Sequence, residues 1–542
     1  MKMKQAVING KIYVEKGTYA QALMVEDGVI TCVGTEEEVR RGAGEGCEIY
    51  DCQGRTVIPG LNDTHLHFLQ FGMVLNRAPI EGSRSVDEVV QRCRRFIEEH
   101  PQRVKNGLHA NGWNQDLFTE GEKRMPNRYD LDRISTEIPV VLERVCGHAI
   151  SVNSKVIELL GLTEDSPQVP GGQFLKGEDG KLNGIFTENA CSCALNLFPP
   201  ATKEELHEAM ETAMDYAVSH GLTSVQSNDA GTSFGEYENF FSMMHEIYDG
   251  DQAKVRYRHQ LSFQDTDTYK AFLEGEYLDP RYGGDSWLTM GPLKLFKDGS
   301  LGARTAYMKN GYVGEPDNRG VDCISKEEMM EFCLLAREHG MQVATHAIGD
   351  AACEETIECY EKAFVDGENK LRHALVHCQI TDREILDRIV EKDIYVMAQP
   401  IFIDYDMTIL EKLCGKELAS TSYNFGTLLR EGAHLSYGTD CPVEDCNPFD
   451  NLYMAVTRKD RNGNPEGGFF PSECVDVETA IDAYTLESAR NEFQEDRKGR
   501  LKPGYCADLV VLDRDIFTVD PMEIREILPV MTMVGGKIVY TR

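Results

Sequence analysis

The sequence predicts an α/β protein: a (β/α)8 barrel carrying a small β-sandwich built from both chain ends and a large insertion after the first barrel strand. Three observations support this. Short strands with tight turns fill the first ~58 and the last ~45 residues. Between them, eight short apolar runs alternate with amphipathic helical segments. The first and second of these runs are separated by roughly 160 residues, far more than a βα connection needs.

The terminal strands are read from "AVINGKIYV", "ALMVEDGVITCVG" and "CEIYDCQGRTVIPG" at the start, and from "ADLVVLD" and "PVMTMVGGKIVYT" at the end. Their alternation of apolar and polar residues, broken by NG, DG and GG, is that of hairpins. The eight barrel strands are expected in "TVIPGLND", "LTSVQSND", "VRYRHQLSF", "GPLKLFKDG", "QVATHAIGD", "HALVHCQ", "IYVMAQP" and "AHLSYGTD". Helices between them carry their own punctuation. In "TKEELHEAMETAMDYAVSHG", Thr202 is the expected cap, Glu205 completes a capping box and Gly221 is the stop. In "SKEEMMEFCLLAREHG", Ser325, Glu328 and Gly340 play the same parts. The expected domains are 1–58 (sandwich, first part), 59–72 (barrel strand one), 73–205 (an inserted lid over the barrel mouth), 206–496 (the remaining barrel) and 497–542 (sandwich, second part). The acidic stretches "GEYENFF" and "EPDNRG" are expected to be solvated loops.

Composition narrows the function classes. Of 542 residues, 41% are hydrophobic and 27% charged, which suits a soluble globular protein with a large core. Lys and Arg total 56 against 90 Asp and Glu, a formal net charge of −34 that repels phosphate backbones and anionic lipid. Neither a nucleic-acid nor a membrane partner is therefore expected. The start shows no signal-peptide core and no run approaches the ~20 apolar residues of a membrane span. The 17 cysteines are odd in number and lack C-x-x-C spacing, so buried thiols in a reducing cytoplasm are expected, with Cys441 set apart only by its neighbours. A homodimer is the default for a symmetric soluble protein.

"GLNDTHLHF" places His65 and His67 two apart at the end of the first strand, so both can face one side. Lys294 lies in the fourth strand, His346 ends the fifth, His377 the sixth and Asp440 the eighth. The C-terminal strand ends of a barrel converge on one pocket. Four imidazoles, a carboxylate and a lysine are thus expected together, a donor set for Zn²⁺ or another divalent transition ion. The bland alternatives are strand-exit polar residues, hydrogen-bonded core histidines, a helix-capping Asp440 and a salt-bridged Lys294. His373 lies four residues before His377, toward the other strand end, and is read as structural. Lys297, three residues from Lys294, falls on the opposite strand face.

"GLNDTHLHF", "LKLFKDGSLGARTA", "ATHAIGDAA", "HALVHCQ" and "GTDCPVE" occur in this order along nearly the whole chain. Together they resemble the amidohydrolase superfamily, and within it the YtcJ-like branch that includes N-substituted formamide deformylase. The resemblance implies the barrel, the sandwich and the insertion. It implies that His65 and His67 hold a more buried metal and His346 and His377 a more exposed one. Lys294, carboxylated by carbon dioxide, would bridge two ions; an uncarboxylated Lys294 would leave one. Asp440 would bind metal and manage protons. Substrate contacts are expected from His148 in "VCGHAISVNS", Arg304 in "GSLGARTA" and Trp113 in "ANGWNQ", against surface histidine, surface salt bridge and core indole as the ordinary readings.

The expected reaction is hydrolysis of a non-peptide C–N bond in a small N-formyl or N-acyl amine by metal-activated water, with Asp440 as general base and then acid. Deaminases and cyclic amidases use much the same ligands, and a catalytically silent regulator or binding protein can share the scaffold. The complete ligand set favours the enzyme.

Overall fold

The computed structural model describes residues 4–145, 148–231, 237–250, 252–275 and 287–542. The chain divides into two compact units: Met1–Phe68 with Met214–Arg542, and Leu69–Ala213.

The first unit holds eight parallel strands in one sheet: β1 (Leu61–Leu66), β2 (Leu222–Ala230), β3 (Arg256–Leu261), β4 (Leu288–Phe296), β5 (Val343–Ala347), β6 (Ala374–His377), β7 (Tyr395–Ala398) and β8 (Leu435–Tyr437). Each pairs with its neighbour in chain order. β1, β2 and β3 are buried along their whole length, as parallel strands sheathed by helices are. The first and last strands meet through side chains and strand-end backbone. Thr64 Oγ1 donates to Tyr437 O at 2.9 Å, and Asp440 N–H to His65 O at 2.8 Å. His67 N–H reaches Cys441 O at 2.7 Å. The buried Asp63 carboxylate accepts from Thr439 N–H and Oγ1–H and from His65 N–H. This closure makes the sheet a barrel.

One strand expectation needs correction. "TVIPGLND" is two strands divided at Gly60. Thr56–Pro59 pairs with Lys11–Glu15 and Leu509–Leu512 in a six-stranded sheet, and only Leu61–Leu66 enters the barrel. Gly60 permits the division because a Cβ there would lie 2.1 Å from Thr223 Oγ1 on β2. A second sheet is ordered Val29–Gly34, Ala22–Glu26, Lys4–Ile8, Glu48–Asp51. Val7, Leu23, Val25 and Ile30 of this sheet share a core with Ile12, Val57, Leu509, Val511 and Met533 of the other, so both chain ends form the sandwich. The "GEYENFF" stretch is also corrected: Tyr237–Asp249 is helix, with Phe240 and Phe241 buried. Its aromatic residues recur at helical spacing, and burying them outweighs the acidic residues between. Gly235 and Glu236 lie outside the described residues.

The capping signals are realised. Thr202 N–H donates to Glu205 Oε2 at 2.8 Å and Glu205 N–H to Thr202 Oγ1 at 3.2 Å. Ser325 accepts from Glu328 N–H ahead of helix Lys326–Glu338.

The second unit is built on a five-stranded sheet, ordered Gly172–Lys176, Leu182–Glu188, Ala149–Val152, Val140–Arg144, Leu108–Trp113. Val140 and Leu142 point into one core and Val141 into another, the period-two alternation of a strand covered on both faces. Among the described residues, no helix is long and apolar enough to cross a membrane.

Gly438, just past β8, tests the barrel closure. A Cβ there would lie 2.7 Å from His65 N and 2.8 Å from Asp63 Oδ1. Gly438→Ala is expected to cost about 1–3 kcal/mol through overpacking, read as a lower thermal midpoint; an unchanged midpoint would mean that β1 and β8 can part without loss.

Candidate metal centre

The hydrogen bonds around the four histidines decide which ring nitrogen carries the proton. A backbone carbonyl can only accept. His67 Nδ1–H therefore donates to Asn228 O at 2.9 Å, and His346 Nε2–H to Gly299 O at 2.9 Å. The other two are held by glutamines whose amide ends are themselves fixed. Gln260 Nε2 donates to Thr64 O at 2.8 Å, which turns its Oε1 to His65 Nδ1–H at 2.7 Å. Gln399 Nε2 donates to Met397 O at 3.1 Å, and its Oε1 accepts from His377 Nδ1–H at 2.7 Å. The lone pairs of His65, His67 and His377 are thus on Nε2, and that of His346 on Nδ1.

These rings adjoin one another. Centroids are 5.5 Å apart for His65 and His67, 5.6 Å for His65 and His377, and 4.4 Å for His377 and His346. Asp440 Oδ1 sits 3.3 Å from His65 Nε2 and 3.5 Å from His67 Nε2. One donor atom from each of His65, His377 and Asp440 lies within 4.8 Å of the others. Both Asp440 Oδ1 and His377 Nε2 are buried without a hydrogen-bond partner among the described residues. His377 and Asp440 also hold positive φ, 76° and 56°. Such backbone costs about 1–3 kcal/mol per residue and is kept where surroundings enforce it, typically at functional sites.

Burial and mutual proximity set the electrostatics of these groups. Burial lowers His65 to about 4 and His346 to about 3, and the Lys294 charge pushes the same way. Burial and the neighbouring His346 hold His377 well below the ordinary histidine range. Burial alone would raise Asp440, but the surrounding imidazoles of His65, His67 and His377 prevail and hold it well below the usual carboxylate range. Burial disfavours charge at His67 too, yet the Asp440 hydrogen bond and the charges of Asp440 and Asp229 raise it. A proton on His67 Nε2 satisfies one lone pair; a divalent ion among the donors satisfies several. Nitrogen and carboxylate donors in this proportion fit Zn²⁺ and similar ions.

The two lysines differ sharply. Lys297 is fully buried and saturated, with Asp322 at 2.6 Å and Glu355 at 2.7 Å. Lys294 is equally buried but makes no ion pair among the described residues. Its Nζ donates to Leu295 O at 3.3 Å and stands 3.7 Å from the Phe296 ring centre. Burial lowers it to about 7, against the pull of Asp440 and Asp298.

Other expected residues fall elsewhere. Trp113 is fully buried in a core of the second unit, its indole N–H donating to Leu142 O at 2.9 Å, so the expectation of a lid aromatic is corrected to a core indole. Arg304 is half-exposed and paired with Glu315. His148 is exposed and paired with Glu188 at 2.9 Å; Cys146 and Gly147 beside it lie outside the described residues. His373 is a core histidine, its Nδ1 accepting from Val343 N–H at 3.0 Å. Cys441 is buried, and burial with its neighbour Cys446 holds its thiol well above the ordinary range, the opposite of an activated nucleophile.

Sequence reading missed Gln260, Gln399, Asn228 and Asp298. Asp298 takes backbone N–H from Tyr307, Ile348 and Gly349, shaping the loops around His346, and burial raises it to about 7 despite them. The available signal was positional: each is polar and sits at or just past a strand's C-terminal end. His377→Ala, removing one of the three clustered donors, is expected to weaken Zn²⁺ binding by more than the ~10–100-fold typical of losing an outer partner. Metal content after dialysis measures this, and undiminished content would dismiss His377 as a ligand.

Comparison with known proteins agrees with this geometry. Residues 48–540 match the Amidohydrolase family. A Bacillus subtilis (strain 168) chain named as the amidohydrolase YtcJ is 30% identical over 547 residues, covering 100% of both chains. N-substituted formamide deformylase of Arthrobacter pascens is 26% identical, over 97% of this chain and 96% of that one. The crystal structure of an uncharacterized metal-dependent hydrolase from Pyrococcus furiosus superposes with a TM-score of 0.76 at 29% identity, covering 95% of this chain and 100% of the other. With its barrel, its strand-end donors and a match over most of its length, the chain belongs to the amidohydrolase family.

Proposed function

We propose that this protein is a metal-dependent hydrolase of C–N bonds other than peptide bonds, acting on small N-formyl or N-acyl amines. The observation that carries this reading is the set of adjoining imidazoles whose lone pairs are fixed by their outer hydrogen bonds, with His65, His67 and His377 beside the buried Asp440 carboxylate. The N-substituted formamide deformylase similarity supports the bond type.

His65 and His67 would hold one ion, His346 and His377 a second. Lys294, buried without a carboxylate partner, is the candidate bridge: its amine would add carbon dioxide, lose a proton and become an anionic carbamate. When bound, such ions acidify water to a pKa of ~7 and polarise a carbonyl oxygen. The chain's own residues do the rest. Asp440 is held well below the usual carboxylate range, so it is ionised and can take a proton from the attacking water. The same carboxyl then returns that proton to the amine nitrogen as the C–N bond breaks, leaving a free amine and a carboxylic acid. Burial of His65, His377 and Asp440 keeps bulk water from competing for their lone pairs. Phe296 beside Lys294 is partly exposed, an apolar wall for a substrate's substituent. Arg304 remains a candidate for a contact farther from the bond broken.

Asp440→Asn is expected to lower kcat by at least the ~10²–10⁴-fold typical of a lost acid–base group, measured on a panel of formamides and N-acyl amines. Ammonia release from heteroaromatic amines, with no hydrolysis of the panel, would overturn the bond assignment. Lys294→Met is expected to reduce bound zinc from two ions per chain to one, by elemental mass spectrometry; equal stoichiometry in both proteins would remove Lys294 as a bridge.

A further inference from the structure

Two of the four candidate ligands lean on backbone carbonyls, which no substitution can remove. His65 and His377 lean instead on side chains, Gln260 and Gln399. Both glutamines are almost wholly buried, as are the two histidines, so bulk water cannot replace the amide oxygen. Each amide is pinned at its other end to a strand carbonyl, Thr64 O on β1 and Met397 O on β7. A flipped amide would set its oxygen against that carbonyl and its N–H groups against the imidazole, leaving buried acceptors unpaired. Gln260 is held further: Asn228 Nδ2 donates to Gln260 O at 3.0 Å, and Asn228 O is the acceptor for His67.

We propose that Gln260 and Gln399 are positioning residues for the metal site: each locks its histidine in the tautomer and ring orientation that turns the Nε2 lone pair toward Asp440. The inference rests on the metal reading above. A glutamine does this without adding charge. Had carboxylates filled the same positions, they would add two negative charges and raise the basicity of the imidazoles. The neutral pair leaves Asp440, with Lys294 if carboxylated, as the anionic donors.

The test separates the acceptor from the rest of the glutamine. Gln399→Met keeps length and removes both hydrogen bonds. Gln399→Glu also loses the bond to Met397 O but retains an oxygen for His377 Nδ1–H. The pair Gln260→Met and Gln260→Glu repeats the comparison at His65. Zn²⁺ affinity is read by competition with a chromogenic chelator, and the EDTA-treated proteins are melted to report folding alone. The methionine variants are expected to bind Zn²⁺ about 10–100-fold more weakly than wild type, and the glutamate variants to recover most of that loss. Methionine variants that bind Zn²⁺ like wild type would overturn the proposal. So would glutamate variants as weak as their methionine counterparts, which would make the glutamines ordinary packing. The two sites are scored separately, so a variant that fails to fold at one leaves the other decisive. A wild-type chain that takes up no Zn²⁺ or other divalent ion would instead sink the metal reading itself.

Discussion

The crowding of lone pairs around Asp440 is the constraint on which the rest of this structure depends. A carboxylate oxygen and imidazole nitrogens that face one another in a dry interior repel unless a cation joins them. Folding assembles them nonetheless, which means that burial of the surrounding barrel strands outweighs the local cost. Positive φ at His377 and Asp440 adds to that cost. Both sit at the ends of strands whose other residues are fully buried, and that rigid base is what holds the arrangement in place.

The arrangement is layered outward from the site. Nearest the pocket are the donors. Behind them stand acceptors that set each tautomer: two backbone carbonyls and two glutamine oxygens. The buried carboxyls of Asp63 and Asp298 bind backbone N–H groups and so fix the segments beside Asp440 and just after His346, Asp298 lying 3.5 Å from the His346 ring. Burial raises Asp63 to about 7, although its hydrogen bonds from Thr439 and His65 pull the other way. The first and last barrel strands are joined largely through this residue, so barrel closure and the meeting of His65 with Asp440 are one structural event.

Lys294 and Lys297 show how environment separates identical side chains three residues apart. Lys297 has two carboxylates and remains an ordinary buried cation. Lys294 has burial without such a partner, and its ammonium form is correspondingly disfavoured. Lys294 stands beside the imidazole cluster, whereas Lys297 is spent on its two carboxylates.

The sequence by itself determined the architecture and the six candidate ligands. Strand and helix periods are local properties of a chain, and ligand types recur at the ends of successive apolar runs, so His65, His67, Lys294, His346, His377 and Asp440 were legible from spacing. Local reading erred where burial on both sides decides. It ran one strand through Gly60 into two sheets, read the Phe240–Phe241 segment as a solvated loop, and gave Trp113 a substrate contact where the structure packs it in a core. Only the tertiary structure decided which imidazole nitrogen faces inward, because the acceptors responsible are distant in sequence: Gln260 lies 195 residues from His65. A hydrogen bond across that span follows from the register of parallel strands, and no local pattern of residues encodes it.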